Sequence, residues 1–178
     1  MLRHEIPTLD ALLDAHRDAL GPDFQAYRNH CYRVVNLCAE LCAASSEQLE
    51  KIAIAAAFHD LGIWTDGTFD YLAPSRQRAE AHLAAIGKSE WADEVGAMID
   101  QHHKLGRYRV APAALIEAFR QADWCDVALG RLGFGLSAEW RRALREAFPN
   151  AGFHKRLLQL SGRRLLTHPW SPMPMLRW

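Results

Sequence analysis

Residues 46–62 read SEQLEKIAIAAAFHDLG. Leu49, Ile52, Ala53 and Ala56 recur at steps of three and four, the period of a helix with one buried stripe. Ser46, followed by Glu47, Gln48 and Glu50, opens that helix with acid near its positive end, and Gly62 is expected to close it. Continued along the same face, His59 falls seven residues after Ile52, and Asp60 falls seven after Ala53 and four after Ala56. Two polar groups thus straddle a face that should be apolar. Either they form a helix-end pair beside Gly62, or they face a shared site.

The neighbouring segments repeat the pattern. Over about residues 24–43, Phe24, Tyr27, Cys31, Val34, Cys38 and Leu41 mark a core face, and His30 lies at its margin. A helix opened by Ser89 and Glu90 and reaching about Lys104 carries Trp91, Val95, Met98 and Ile99, with His102 next on the same stripe. His103 lies about 100° further round an ideal helix, within reach of a second ion or a substrate. From Pro112 to about Gly130, Leu115, Ile116 and Phe119 lead to Asp123, where a core residue belongs; Asp126 is the alternative inward acid, and Arg120 an alternative partner for Asp123. Between Pro74 and Gly87, His82 precedes Leu83 and Ile86. Further helices are expected at 9–20 behind a Thr8 cap, at 138–147 and at 152–166, with a loop over 63–72 and a basic loop LGRYRVA at 105–111. No stretch alternates as a strand does. The expected fold is all-α: one domain of about six to eight helices, its core over residues 24–130 and its C-terminal helices and tail over 131–178.

Composition narrows the function. Lys plus Arg and Asp plus Glu number 21 each, so no overall positive field holds nucleic acid. No apolar run reaches the roughly 18 residues of a membrane span, and the first ten residues lack the core of a signal peptide, so the cytoplasm is the expected location and no membrane partner is expected. Cys31, Cys38, Cys42 and Cys125 form no CxxC pair and read as reduced, packed thiols. The tail HPWSPMPMLRW is apolar and broken by prolines, which suits packing on the body or a homo-oligomer contact through the C-terminal segment.

Burying an unpaired carboxylate costs several kcal/mol, comparable with a domain's whole stability, so either a cation compensates Asp123 or the helical phase differs from this reading. His30, His59, His82, His102 and His103 with Asp60 and Asp123 come from five helices, enough for two divalent ions with Asp60 as bridge. Such ions lower the pKa of water and neutralise phosphate, allowing in-line attack without a protein nucleophile. Asp60, His103 and Lys104 are the candidate catalytic residues. Lys104, Arg107 and Arg109, and Arg76 and Arg78 beyond them, are candidates to meet a small-molecule phosphate substrate. A solvated basic loop is the competing account of KLGRYR. Trp64, Tyr71 and Tyr108 are candidates to stack on a base or to close a lid.

With His30 in NHCYRV, the pair in FHDLGIW and Asp123 in QADWCD, the chain resembles the HD superfamily of metal-dependent phosphohydrolases across about residues 24–130. The resemblance implies an HD-type bundle, His30, His59, Asp60 and Asp123 on one ion, and His82 and His102 on a second bridged by Asp60. Fe, Mn and Co are the implied metals, with Zn and Mg as further candidates. The fuller set is similar to cyclic-dinucleotide phosphodiesterases of the HD-GYP type, dinucleoside polyphosphate hydrolases and diiron oxygenases related to myo-inositol oxygenase. Ile63 stands where the first and last commonly have Lys and where some mononucleotide phosphatases have Glu, and no GYP triplet follows. Three functions therefore stay open: phosphoester hydrolysis, iron-dependent oxidation, and a non-catalytic sensor using the tail and Arg163-Arg164 as contacts.

Overall fold

The computed structural model describes residues 1–171 and 173–176, and its regular structure is helical throughout. The α-helices are α1 (Pro7–Ala15), α2 (Arg17–Leu20), α3 (Phe24–Cys42), α4 (Ser46–Phe58), α5 (Gly62–Thr65), α6 (Leu72–Ala85), α7 (Ala92–Gln101), α8 (Ala114–Val127), α9 (Ala138–Ala147) and α10 (Phe153–Thr167). Among the described residues no helix is long and apolar enough to cross a membrane.

The centre of the fold is α3, and it is buried on every side from Asn29 to Ala39. One core face was expected; the full burial arises because α8 covers one side, α4 another, and α1, α9 and α10 close the remainder. Polar residues there survive by pairing. Asn36 donates to the carbonyls of Arg3 and Tyr32, and Arg33 binds Asp126.

Helices α3, α4, α7 and α8 each pack on the next and the last packs back on the first, forming a closed ring of four. Alanine at 53, 55, 56 and 57 leaves α4 thin enough to sit between its neighbours while wholly buried there. Helix α6 lies outside this ring, against α4 and α7. That placement decides which histidines reach the centre.

Local chemistry moves several boundaries. Ser45, not Ser46, caps α4: its Oγ accepts from Gln48 N and its own N–H donates to Gln48 Oε1, a reciprocal box. Pro7 rather than Thr8 starts α1, and the expected single helix over 9–20 breaks at His16. Gly62 does not close α4; the helix ends at Phe58, and Gly62 begins the short α5 within the expected loop. A Cβ on Gly62 would lie 2.9 Å from the Tyr71 carbonyl and 3.1 Å from Ser75 Oγ, so close approach, not a left-handed turn, requires glycine. In the tail, Met175 is buried with Ile63, Tyr71 and Leu72, while Pro172, Arg177 and Trp178 lie outside the described residues.

Candidate metal centre

The ring of four helices aims its polar residues at one point. His30 comes from the middle of α3, His59 and Asp60 from the turn after α4, His102 and His103 from the turn after α7, and Asp123 from α8. All except His103 are at most 3% exposed. Asp60 Oδ2 is 3.4 Å from His59 Nε2 and 3.9 Å from His30 Nε2, while its Oδ1 is 3.4 Å from His102 Nε2. Asp123 divides in the same way: Oδ1 lies 3.6 Å from His30 Nε2 and 3.8 Å from His59 Nε2, and Oδ2 lies 3.5 Å from His103 Nδ1. Two donor groups, His30–His59–Asp60 and Asp60–His102–His103, each gather within 4.8 Å and share Asp60.

Hydrogen bonding fixes the tautomers of three of these rings. His59 Nδ1 donates to Ala56 O at 2.8 Å, His102 Nδ1 to Ile99 O at 2.6 Å, and His30 Nδ1 to Asp126 Oδ2 at 2.7 Å. With the proton on Nδ1, each neutral ring turns an Nε2 lone pair inward. His30 Nε2 and His59 Nε2 face each other at 2.9 Å, two acceptors with no proton between them while both rings are neutral. Asp60 Oδ1, His102 Nε2 and both carboxylate oxygens of Asp123 are buried without a hydrogen-bond partner. Native proteins seldom leave such groups unsatisfied. A cage made of lone pairs and carboxylates is suited to a cation, and imidazole with carboxylate is the donor set of divalent Fe, Mn, Co and Zn.

The electrostatics agree. Burial, with His102 and His30 adding to it, pushes His59 down to about 3, so its ring is neutral near neutral pH. Burial opposes the charge on Asp60, but the surrounding imidazoles outweigh it and hold the carboxyl well below its ordinary range. Burial raises Asp123 to about 6; Asp60 and Asp126 add to the rise, while His102 and His30 oppose it. His102 moves upward despite its burial, because Asp60 and Asp123 draw a proton toward it. Positive charge is wanted where the lone pairs converge, whether a proton or a metal supplies it.

Residues behind the cage hold it in place. Asp126, which accepts from His30, also binds Arg33 through two oxygens, Nε to Oδ1 at 2.5 Å and Nη2 to Oδ2 at 2.8 Å, and Arg33 Nη1 donates to Phe148 O at 2.8 Å. Tyr27 Oη accepts from Asp60 N and donates to Ala57 O, pinning the turn that bears the His-Asp pair. Gly62 N donates to Ser75 Oγ, which holds the start of α6 over that turn. Tyr71, just before α6, then brings its hydroxyl within 2.7 Å of His103 Nε2.

Adjacent histidines both face the site because α7 stops at Gln101. The expected helix to Lys104 would have separated them; instead Lys104 N donates to Gln101 O in a tighter turn, and the two rings lie 3.9 Å apart. His82, expected on a second ion, is corrected by the fold. It sits on α6 outside the ring, half-buried with its ring against Phe58, one residue and about 100° from the His59 side of α4. The second donor group takes His103 in its place.

The basic candidates disperse. Arg76 pairs with Glu80 and Asp100, Arg78 with Asp66, and Arg107 and Arg109 are exposed. The Lys104 carbonyl accepts from Arg120 Nη1 and Trp124 Nε1, anchoring the loop behind His103. Arg120 itself pairs with Glu117, not with Asp123. Trp64 donates to Asp23, and Tyr108 N donates to Glu117. By sequence Asp126 is only a rival to Asp123, and Tyr71 a candidate to stack on a base or close a lid; neither contact made here is among those expectations. That Asp123 and Asp126 are three residues apart on one helix face was the available sign that both turn inward.

Comparison with curated proteins and with solved structures finds no match. A family model described as HD domain matches residues 27–128, which span every residue of the cage and Asp126 behind it. That match covers more than half of the sequence, and the chain belongs to the HD domain family.

Proposed function

We propose that this protein hydrolyses a phosphate ester with two divalent cations held between α3, α4, α7 and α8. The observation that carries this is the inward convergence of three Nε2 lone pairs with the Asp60 and Asp123 carboxylates, with no protein donor among them. His30, His59, Asp60 Oδ2 and Asp123 Oδ1 would hold one ion; His102, His103, Asp60 Oδ1 and Asp123 Oδ2 would hold the other. When bound, such ions acidify a water near neutral pH and neutralise phosphate oxygens. Asp60 would be held by both donor groups more than act as a base, since its two oxygens face histidines of different groups, His59 and His102. As the oxygen of water bonds to phosphorus and the bond from phosphorus to the ester oxygen breaks, the alcohol leaves with one proton. With His103 Nδ1 turned to Asp123, its Nε2–H donates to Tyr71 Oη at 2.7 Å, which leaves the Tyr71 hydroxyl proton on the cleft side as the one suited to reach the alcohol.

Elemental analysis of protein purified without chelator, with phosphate release measured on adding Mn²⁺, Fe²⁺ or Co²⁺, tests this. The expected result is close to two ions per chain, about one fewer in His102→Ala, and phosphate release. Protein that holds no metal and has affinity for none would overturn the proposal in favour of a silent sensor. Bound iron with oxygen uptake and no phosphate release would move it to the oxygenase branch.

A further inference from the structure

Beside the metal cage a cleft of about 410 Å³ opens, with Tyr71 and His103 at its inner end. Its walls are Phe69 from the loop before α6, Trp124 and Val127 from α8, Leu157 and Leu158 from α10, and Met175 from the C-terminal segment. Among the described residues no Lys, Arg, Asp or Glu lines it. His154, also on the wall, has its ring nitrogens engaged with Asn150 and the Val127 carbonyl.

Resting on the hydrolase reading above, we infer that this cleft takes the organic part of the substrate, and that the substrate is a phosphomonoester of an apolar alcohol. The same two residues line the cleft and touch the cage: His103 Nδ1 is 3.5 Å from Asp123 Oδ2, and Tyr71 Oη is bonded to His103 Nε2. A group seated in the cleft therefore presents its polar end to the cage. The volume is that of a small-molecule site, and the walls have the apolar character with few polar groups that such sites share. A sugar bearing several hydroxyls, or a second and third phosphate, would lose its water there and find few partners, a loss that apolar contact does not replace. Water and the ester would yield inorganic phosphate and the free apolar alcohol, with the proton of water ending on the alcohol oxygen.

Titration calorimetry of the Mn²⁺-loaded protein with methyl-, butyl- and octylphosphonate tests binding without turnover. Affinity is expected to rise about fourfold per methylene while the chain fills the cleft. Leu158 is 74% and Leu129 42% exposed, so Leu158→Gln with Leu129→Gln, both lining the cleft, leaves the core intact and should lower the octyl-to-methyl affinity ratio several-fold. Equal affinity for all three phosphonates, with methylphosphonate bound, overturns the inference and leaves the hydrolase reading standing. Absence of binding by every phosphonate overturns the hydrolase reading on which it rests.

Discussion

Replacing Asp126 by Asn isolates what lies behind the cage. Asp126 is 2% exposed and Arg33 1% exposed, and the carboxylate accepts two hydrogen bonds from the guanidinium and one from His30 Nδ1. Asn keeps one oxygen, but its amide N–H groups oppose the donors of Arg33 and His30, leaving a buried cation without its counter-charge. Breaking a buried pair on one side costs about 3–5 kcal/mol. Against a total of about 5–15 kcal/mol for a domain, the variant stays folded but marginal. With an m-value of about 2 kcal/mol/M, the urea midpoint should fall by roughly 1.5–2.5 M. Unfolding is followed by circular dichroism in chelator, so that metal binding does not enter the difference. In a separate Mn²⁺ titration, loss of the group that sets the His30 tautomer should weaken binding about 10–100-fold. The double variant Arg33→Met with Asp126→Leu removes both charges and should recover most of the stability without recovering the metal affinity. A midpoint within about 0.3 M of the parent protein, or unchanged Mn²⁺ affinity in Asp126→Asn, would refute this account.

Other outcomes follow from single contacts. Glu117 accepts from Arg120 Nε, Arg120 Nη2, Tyr108 N and Gln121 Nε2; burial opposes its charge, yet these donors prevail and lower its pKa. Because the folded value is depressed, its contribution is present above the unfolded value of about 4.3 and fades as pH falls through the folded one. Glu117→Gln should therefore cost about 1–2 kcal/mol at pH 7 in urea unfolding, and the difference should shrink below pH 4; a pH-independent difference would contradict it. Gly62→Ala drives a methyl against the Tyr71 carbonyl and should cost about 1–3 kcal/mol, visible as a lower melting temperature, whereas an unchanged melting temperature would mean the α6 start is free to move. His82→Ala should leave the metal content of the purified protein unchanged by elemental analysis, and loss of an ion would return His82 to the centre.

Helical phase was sufficient to find most of the cage. In α4, α7 and α8, apolar steps of three and four ran directly into His59, Asp60, His102 and Asp123, and a polar group on a core stripe can be seen without knowing what faces it. Periodicity reports that a face is buried, not against which neighbour. His82 satisfied the same pattern as His30, yet α6 packs on the outside of the ring and turns it to Phe58. The pairing of His102 with His103 depended on α7 ending three residues early, which no spacing rule announces. Asp126 and Tyr71 act through contacts with residues 96 and 32 positions away, beyond any local pattern. The basic loop carried the least information, since Arg107 and Arg109 end in solvent.

The residues of the cage come from positions as far apart as 30 and 123, so an ion held by both would act as a cross-link over more than half the chain. A tie of that span restricts the unfolded ensemble as a disulfide does, but it can be withdrawn by a chelator. Metal supply would then set the resistance of the whole bundle to proteases and heat, and depletion would loosen four helices together, without a local first step.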